Sequence, residues 1–192
     1  SWMFHWPCLW LTPYQAEAME LPLEMVEVSG VKEGEVEEAA EALAKLKAEY
    51  GFEGLACGAI QSNYQKLRVE RLCGKLNLAF HAPLWGQPPE SLLEETLKLR
   101  FDVVFTAVAA LGLDERWLGR RLDMEAVEEL KELSRRFGIN LALEGGEAET
   151  FVREACFYRR RVELEDLEKV WRGDWGYLKV GRVRLTRKLY SD

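Results

Sequence analysis

The feature that most constrains the fold is an alternation of short apolar runs with amphipathic helices in the first half of the chain. The run "GLACGAI", residues 54–60, is small and apolar almost throughout, which is typical of a buried parallel strand. A helix start follows at once, because Ser62 and Gln65 in "SNYQ" form a capping box. A second short strand, "LAFHA", occupies residues 78–82. This order predicts a parallel α/β sheet.

Other elements are predicted on both sides of this region. Thr12 is the expected N-cap of an early helix, with Pro13 at the first helical position and Gln15 completing a capping box. The remaining elements are a strand at 23–28, a helix from Glu35 to Tyr50 closed by Gly51, a helix at 90–99, a strand at 101–110, a helix from its cap Asp123 to about Phe137, and a strand at 140–143. The last 40 residues look mostly β. We expect one domain over 1–88 and a second over 89–192.

The charge distribution limits the classes of partner. The net charge is −7, yet residues 151–192 carry 11 basic and 7 acidic side chains, so the rest of the chain is strongly acidic. An acidic bulk argues against direct nucleic-acid binding. The basic tail would contact RNA or an acidic protein, or it is an alternating strand with solvated arginines, which is the favoured interpretation. No run of 18 apolar residues predicts a membrane span, and no signal-peptide pattern appears.

The four cysteines show no CxxC spacing, which indicates neither a zinc site nor a secreted disulfide framework. A reducing cytoplasm is therefore the expected location. Asn and Gln are scarce while Glu, Lys and Arg are plentiful, a composition that suggests a thermophile.

The junction "GAIQSNYQKLRVE" is the strongest local signal for a ligand site. It lies where a predicted parallel strand ends and a helix begins, and helix N-termini at this edge of α/β sheets bind anions. Gly58 would let a ligand approach the backbone, and Ser62 and Gln65 should point at the tip of the sheet. Tyr64 and Arg68 lie at helical spacing on a flanking side. A well-capped helix with Arg68 and Arg71 in solvent is an equally favoured interpretation.

The stretch "EGGEAET", residues 144–150, crowds three carboxylates and two glycines into seven residues. Like charges this close destabilise each other unless a cation or solvent compensates. One interpretation is a tight acidic turn in water. The slightly favoured one is a loop whose glycines admit a ligand while three carboxylates face a positive charge: Glu144, Glu147 and Glu149.

Histidines and tryptophans give weaker signals. His81 and Trp85 follow a predicted strand, and His5 lies in the aromatic stretch "WMFHWP". Each histidine is a candidate ligand or base, although a lone histidine is more often structural. Trp85 is a candidate for stacking on a base or a cation, although most of the seven tryptophans are expected in a core or interface.

Four motifs taken together resemble the diphthine–ammonia ligase, or diphthamide synthase, family: "GAIQSNYQKLRVERLC", "HAPLWGQPPESLLEE", "AALGLDERWLGRRLD" and "EGGEAETFV". The similarity includes "SWMFH" and "QAEAMELPL" and covers roughly residues 1–165; an archaeal source is expected. It implies an α/β fold with a three-layer, HUP-like parallel-sheet domain of the adenine-nucleotide alpha-hydrolase, or ATP pyrophosphatase, type. A smaller α+β substrate domain would follow.

The resemblance also implies a reaction and its partners. ATP, with Mg2+, would adenylate the carboxylate of diphthine, a modified histidine on translation elongation factor two, and release pyrophosphate. Ammonia would then displace AMP and leave the amide. Diphthine carries a quaternary ammonium beside its carboxylate, and such a cation is recognised by aromatic faces and carboxylates. A homodimer is left open.

We expect the candidate residues to have the following roles in this reaction. The ATP or adenylate site would contain Gly58, Ser62, Tyr64, Gln65 and Arg68. The catalytic carboxylates would be Glu144, Glu147 and Glu149, which complement the cation or take a proton from ammonium. The substrate would contact His5, Trp85, Gly145, Gly146 and Thr150. Metal ligands are not assigned.

The chain departs from the family pattern in three places. It contains no glycine-rich phosphate loop of the form SGGKDS, so we expect either a fragment or a domain without its first strand and helix. Leu143 stands where the family usually has glycine, and Ala148 where an aromatic is common. Two alternatives to the ligase therefore remain: a related adenylating enzyme that modifies tRNA, and a non-catalytic nucleotide-binding module.

Overall fold

The computed structural model describes residues 8–29 and 34–188. Within these ranges the chain forms two compact units. The first contains residues 24–87, and the second contains residues 8–23 together with 88–188. The second unit is thus made of two separate segments of the chain, and the first unit lies between them in the sequence. The predicted boundary at residue 88 between functional domains stays a prediction.

In the described residues, the two units contain five helices and six strands. The helices are α1 (Thr12–Met19), α2 (Gly34–Tyr50), α3 (Asn63–Leu76), α4 (Pro89–Lys98) and α5 (Met124–Phe137). The strands are β1 (Gly54–Ala56), β2 (Ala79–His81), β3 (Asp102–Val108), β4 (Ala148–Glu154), β5 (Arg161–Trp171) and β6 (Gly176–Thr186). Short 3-10 turns cover Leu9–Leu11 and Glu115–Trp117. None of these helices is long and apolar enough to cross a membrane in the described part of the chain.

The first unit contains the parallel pair that the sequence predicts. Strands β1 and β2 run parallel, with Leu55 opposite Phe80. The Cys57 amide extends the ladder by donating to the His81 carbonyl at 2.8 Å. Both strands are shorter than predicted, and Ala56 is exposed rather than buried. A two-stranded sheet, which is all that the described residues form here, does not bury both of its faces.

Helices α2 and α3 pack together through small and branched side chains. Val36 and Ala40 of α2 contact Leu72 of α3. The Lys47 ammonium donates to the Leu76 carbonyl at 2.6 Å and so caps the end of α3. Gly51, at φ +68°, ends α2 as predicted. Helix α2 begins one residue before the predicted start.

The predicted strand at 23–28 is wrong. This segment forms no strand, and its apolar side chains lie in solvent: Leu23 is 38% exposed and Met25 is 52% exposed. The sequence has strand-like composition, but a strand also needs a neighbour to accept its backbone hydrogen bonds. Within the described residues no strand pairs with it.

The second unit is built on an antiparallel sheet with strand order β4-β3-β6-β5. The prediction of a separate, β-rich α+β region in the second half of the chain is therefore confirmed at this coarse level. Strands β5 and β6 pair from Arg161 opposite Thr186 to Trp171 opposite Gly176. Strand β3 joins this hairpin to β4, because Ala107 and Val108 pair with both β4 and the start of β6.

Two apolar cores stabilise this unit. The first lies between the sheet and α5; its buried members include Phe105, Val108, Trp117, Val127, Leu130 and Ala148. The second lies under α1; its buried members include Leu11, Ala18, Phe151, Tyr158 and Val162. Phe105 and Trp117 meet edge to face, with centroids 4.9 Å apart.

Buried ion pairs connect strand β3 with β4 and β5. Asp102 is fully buried at the start of β3 and forms an ion pair with Arg161 at the start of β5. Arg153 of β4 also donates to Asp102 at 3.0 Å. A buried charge is costly unless it is paired, and Arg161 and Arg153 together compensate the buried Asp102 carboxylate.

Two local predictions in this unit are wrong. Residues 140–143 form a turn, because the Asn140 side chain accepts from the Ala142 amide at 2.9 Å and thereby competes with a strand ladder. Thr12 is the first helical residue rather than the N-cap, since the preceding 3-10 turn places Leu11 at the cap. Gln15 makes no capping box; its side-chain amide donates to the Val152 carbonyl at 2.9 Å.

The basic C-terminal region is an alternating strand with exposed arginines, as the favoured interpretation predicts. Arg182 and Arg184 of β6 are 64% and 65% exposed at the side chain. Both pair with Glu165 of β5, at 2.8 and 2.6 Å. The carboxylate on the neighbouring strand therefore partly compensates these two positive charges.

Candidate functional site

The candidate ATP residues lie where β1 ends and α3 begins, in the first unit. Ser62 is the N-cap of α3 and its hydroxyl accepts from the Gln65 amide at 3.3 Å, which confirms the predicted cap. Gly58 is exposed, and no atom lies within 4 Å of the place where a Cβ would project. The backbone of this loop is therefore open to a ligand.

The loops after β1 and β2 are joined to each other. The Gly86 amide donates to the Ile60 carbonyl at 2.9 Å. Lys66 in the second turn of α3 reaches across, so that its ammonium lies 5.1 Å from the Trp85 ring centroid and 5.8 Å from that of Phe80. Trp85 thus already contacts a cation of its own chain. The sequence did not single out Lys66, although it sits inside the "SNYQKLR" motif.

Arg68 does not extend towards the tip of the sheet. Its guanidinium stacks on the Tyr64 ring, 3.4 Å from the centroid, and donates to the Tyr64 carbonyl at 3.2 Å. The same side chain lines a cavity of about 450 Å³ between the start of α2 and α3. Arg71 and Lys75 also line this cavity, and Lys75 forms an ion pair with Glu37.

The acidic stretch lies in the second unit, and the turn that it forms is shorter than predicted. Residues 144–147 form the turn, and Ala148 already begins β4. Glu149 and Thr150 are therefore strand residues, opposite Ala107 and Phe105. Thr150 is exposed.

The Glu147 carboxylate stabilises the turn in which it lies. One carboxylate oxygen accepts from the Gly145 amide at 2.8 Å and the other from the Asn140 amide at 3.3 Å. A Cβ on Gly145 would stand 2.6 Å from this carboxylate, so a larger residue there would displace the Glu147 side chain from its present position. Gly146, at φ +86°, has no atom within 4 Å of its Cβ direction. A ligand therefore has space to approach the backbone closely at Gly146. At Gly145 the Glu147 carboxylate occupies that space.

Leu143 has a backbone conformation that favours glycine. Its φ is +57°, a left-handed conformation in which glycine carries no Cβ penalty. The Leu143 side chain packs against the first core of the unit. Apolar packing therefore holds a leucine where the backbone favours glycine.

Glu149 lies near a thiol. Burial raises the pKa of Cys8, and the negative charge of Glu149 raises this pKa further. Glu149 is half-buried. Its carboxylate therefore stands on the face of the sheet that Cys8 covers, rather than in open solvent.

The structure brings candidate residues together within each unit. Gly58, Ser62, Tyr64, Gln65, Arg68 and Trp85 belong to the first unit, and Glu144, Gly145, Gly146, Glu147, Glu149 and Thr150 to the second. His5 lies outside the described residues. Among those described, no group of three or more His, Cys, Asp or Glu side chains forms a metal-binding cluster.

Two family models match the chain along most of its length. The model of the diphthamide synthase N-terminal domain matches residues 1–79, and that of the diphthamide synthase C-terminal domain matches residues 88–186. The chain belongs to the diphthamide synthase family. The first match contains the α3 junction and the second contains the acidic turn, so both candidate groups lie in regions that define the family.

Named relatives of the family agree with these matches. The human diphthine–ammonia ligase is 38% identical over 190 residues, which is 92% of this chain and 70% of the human protein. The mouse diphthine–ammonia ligase is 36% identical over 90% of this chain and 68% of its own length. The diphthine–ammonia ligase of Schizosaccharomyces pombe is 31% identical over 88% of this chain and 30% of its own length.

Proposed function

We infer that this protein catalyses the ATP-dependent amidation of diphthine, forming a carbon–nitrogen bond with ammonia. The observation that carries this inference is the 38% identity to the human diphthine–ammonia ligase across 92% of the chain, which spans both units. The substrate is a diphthine-bearing protein, translation elongation factor two. Activation by ATP forms an acyl-adenylate, and attack by ammonia then releases AMP.

We propose that the first unit is an HUP-like nucleotide-binding domain within residues 1–88, and that residues 89–192 form the substrate domain. The free N–H groups at the start of α3 suit an anion. Ser62 and Gln65 would orient the nucleotide, Gly58 would admit it to the backbone, and Tyr64 with Arg68 would flank it. Stacked on Tyr64, the guanidinium of Arg68 is held in one orientation, which reduces the entropy lost when it pairs with a phosphate.

The acidic turn is proposed to serve the substrate. Glu144 and Glu149 would complement the quaternary ammonium or accept a proton from ammonium, and Glu147 would act by holding the turn in shape. Gly146 would give the substrate access to the backbone. His5, Trp85 and Thr150 complete the proposed substrate contacts, whereas the Glu147 carboxylate occupies the approach to Gly145. Magnesium is proposed to accompany ATP in a cytoplasmic enzyme, and no step here is assigned to the ion.

The test is AMP release by the longest native form of the protein. The reaction contains ATP, magnesium, ammonium and elongation factor two, with the factor supplied either with or without diphthine. AMP release that requires both diphthine and ammonium supports the function. AMP release that is independent of diphthine but increases when transfer RNA is added would indicate a tRNA-modifying enzyme instead. ATP binding without turnover would indicate a non-catalytic nucleotide-binding module.

A further inference from the structure

Lys66 is a partly buried basic side chain beside the candidate nucleotide residues. It lies one helical turn after the cap Ser62, and its amide donates to the Ser62 carbonyl at 3.0 Å. Its side chain is only 24% exposed. Long side chains on a helix lean towards the helix N-terminus, so the Lys66 ammonium lies near the end of α3 at which the nucleotide is proposed to bind.

Two aromatic rings hold the Lys66 ammonium in place. It lies 5.1 Å from the ring centroid of Trp85, in the loop after β2, and 5.8 Å from that of Phe80, in β2 itself. The faces of these rings attract the positive charge, but the rings carry no oxygen that accepts a hydrogen bond. The rings therefore orient the ammonium without occupying its N–H donors with oxygen acceptors.

The loop that carries Trp85 belongs to the same edge of the parallel pair. The Gly86 amide, next to Trp85, donates to the Ile60 carbonyl in the loop before α3 at 2.9 Å. Lys66 thus lies where the loops that follow both parallel strands meet. Open α/β sheets bind their ligands at this edge.

The hydrogen bonds of the Lys66 ammonium are incomplete in the described part of the chain. A lysine ammonium has three N–H donors. Within residues 8–29 and 34–188, its one oxygen partner is the Glu70 carboxylate, 3.4 Å away on a side chain that is 50% exposed. So long a contact with an exposed carboxylate contributes little. A partly buried ammonium with such weak compensation is costly, and a bound anion would offset that cost.

Other cations of α3 are already engaged. The Arg68 guanidinium stacks on the Tyr64 ring and donates to the Tyr64 carbonyl. Lys75, near the end of the helix, forms an ion pair with Glu37. The first turn of α3 contains no acidic residue that would repel an anion.

We propose that Lys66 binds a phosphate group of ATP; this rests on the function proposed above and adds a residue to its nucleotide site. A phosphate oxygen would accept from the N–H donors that the rings leave unused, and its charge would compensate the ammonium. The two rings would keep the ammonium in one position, which reduces the entropy lost on binding.

The first test measures nucleotide binding without turnover. ATP and adenosine are titrated by calorimetry into the longest native form of the protein and into its Lys66→Met and Lys66→Arg variants. Methionine keeps an apolar stem without the charge, and arginine keeps the charge. We expect Lys66→Met to weaken ATP binding about tenfold and to leave adenosine binding unchanged. Lys66→Arg should restore most of the affinity for ATP.

The matched control is Lys75→Met, which removes one positive charge from the same helix. Lys75 is 50% exposed and paired with Glu37, so its loss should leave the binding of ATP and adenosine unchanged. Equal weakening of ATP in both methionine variants would be an effect of net charge. Equal weakening of ATP and adenosine in Lys66→Met would mean that Lys66 only holds the Trp85 loop. Either result, or unchanged ATP binding in Lys66→Met, would overturn the proposal.

The second test separates ATP from the other anionic reactant, the carboxylate of diphthine. AMP release is measured while either ATP or the diphthine-bearing factor is varied. We expect Lys66→Met to raise KM for ATP about tenfold and to leave KM for the factor unchanged. A rise confined to KM for the factor would assign Lys66 to the carboxylate and contradict the phosphate contact.

The two tests separate failure of the phosphate contact from failure of the function. A wild-type protein that amidates its factor, with normal ATP binding in Lys66→Met, refutes the phosphate contact alone. A wild-type protein that loses ATP affinity in Lys66→Met yet makes no amide refutes the proposed reaction and leaves the phosphate contact standing.

Discussion

At the scale of single residues, the acidic turn is shaped by contacts that sequence patterns do not encode. The crowding of "EGGEAET" predicts a special loop, and residues 144–147 do form a tight turn. The sequence does not reveal that Glu147 turns back onto Gly145 and Asn140, because that depends on where the turn folds in three dimensions. Nor does it reveal the left-handed backbone of Leu143, because that conformation accompanies packing of the side chain against the core.

Substitutions at Leu143 should separate backbone strain from packing. Leu143→Ala loses the contacts with the core and keeps the left-handed strain. Leu143→Gly loses the same contacts and relieves the strain, which amounts to about 1 kcal/mol. We therefore expect the glycine variant to be more stable than the alanine variant by about 1 kcal/mol in urea unfolding. Equal stability of the two variants would show that Leu143 is unstrained.

Glutamine substitutions should distinguish the two glutamates of this region. Glu147→Gln replaces one acceptor oxygen with an NH2 group that faces a backbone N–H, so we expect a loss of about 1–2 kcal/mol of unfolding free energy. Glu149→Gln should lower kcat/KM for the factor about tenfold. Denaturant unfolding and steady-state kinetics on both variants provide the comparison. Full activity in Glu149→Gln would remove that residue from the site.

At the scale of secondary-structure elements, helix starts were predicted where the signal is local. Ser62 and Asp123 each accept a hydrogen bond from an amide three residues on, at Gln65 and Ala126. Capping depends on a few adjacent residues, so the sequence suffices. The predicted N-cap at Thr12 is wrong because a 3-10 turn, Leu9–Leu11, leads directly into α1. The capping pattern in the sequence does not indicate such a turn.

Removing the two caps should give equal losses of stability and unequal effects on ATP. Ser62→Ala and Asp123→Ala each remove one side-chain cap, and we expect each to cost about 1 kcal/mol. Only Ser62→Ala should also raise KM for ATP, because Ser62 lies at the proposed nucleotide site. The measurement is chemical unfolding combined with ATP titration of AMP release. A KM for ATP that rises equally in both variants would indicate general destabilisation instead.

The packing of α1 against the sheet should give the protein a sensitivity to alkali. Burial in the second core raises the pKa of Tyr158 to about 12, above its ordinary value of 10. Between these values the unfolded chain loses the phenol proton and the folded chain keeps it, so stability falls as pH rises from 10 to 12. Tyr158→Phe should show a smaller fall over this interval in urea unfolding. An identical pH dependence in both proteins would contradict this explanation.

At the scale of the whole molecule, alternation and composition predicted the mixed α/β class, the parallel pair and the β-rich second half. These features are predictable because the spacing of apolar residues along the sequence differs between helices and strands. The return of residues 8–23 to the second unit was not predicted, because α1 is held by long-range contacts such as Gln15 to Val152.

The central claim is that this protein transfers ammonia nitrogen to diphthine at the expense of ATP. The most direct measurement supplies nitrogen-15 ammonium, ATP and magnesium to the longest native form, and follows the diphthine-bearing factor by mass spectrometry while counting AMP. We predict one nitrogen-15 amide on the modified histidine for each AMP released, and neither product when ammonium is omitted. AMP released without nitrogen-15 in the factor, or no AMP at all, would contradict the claim.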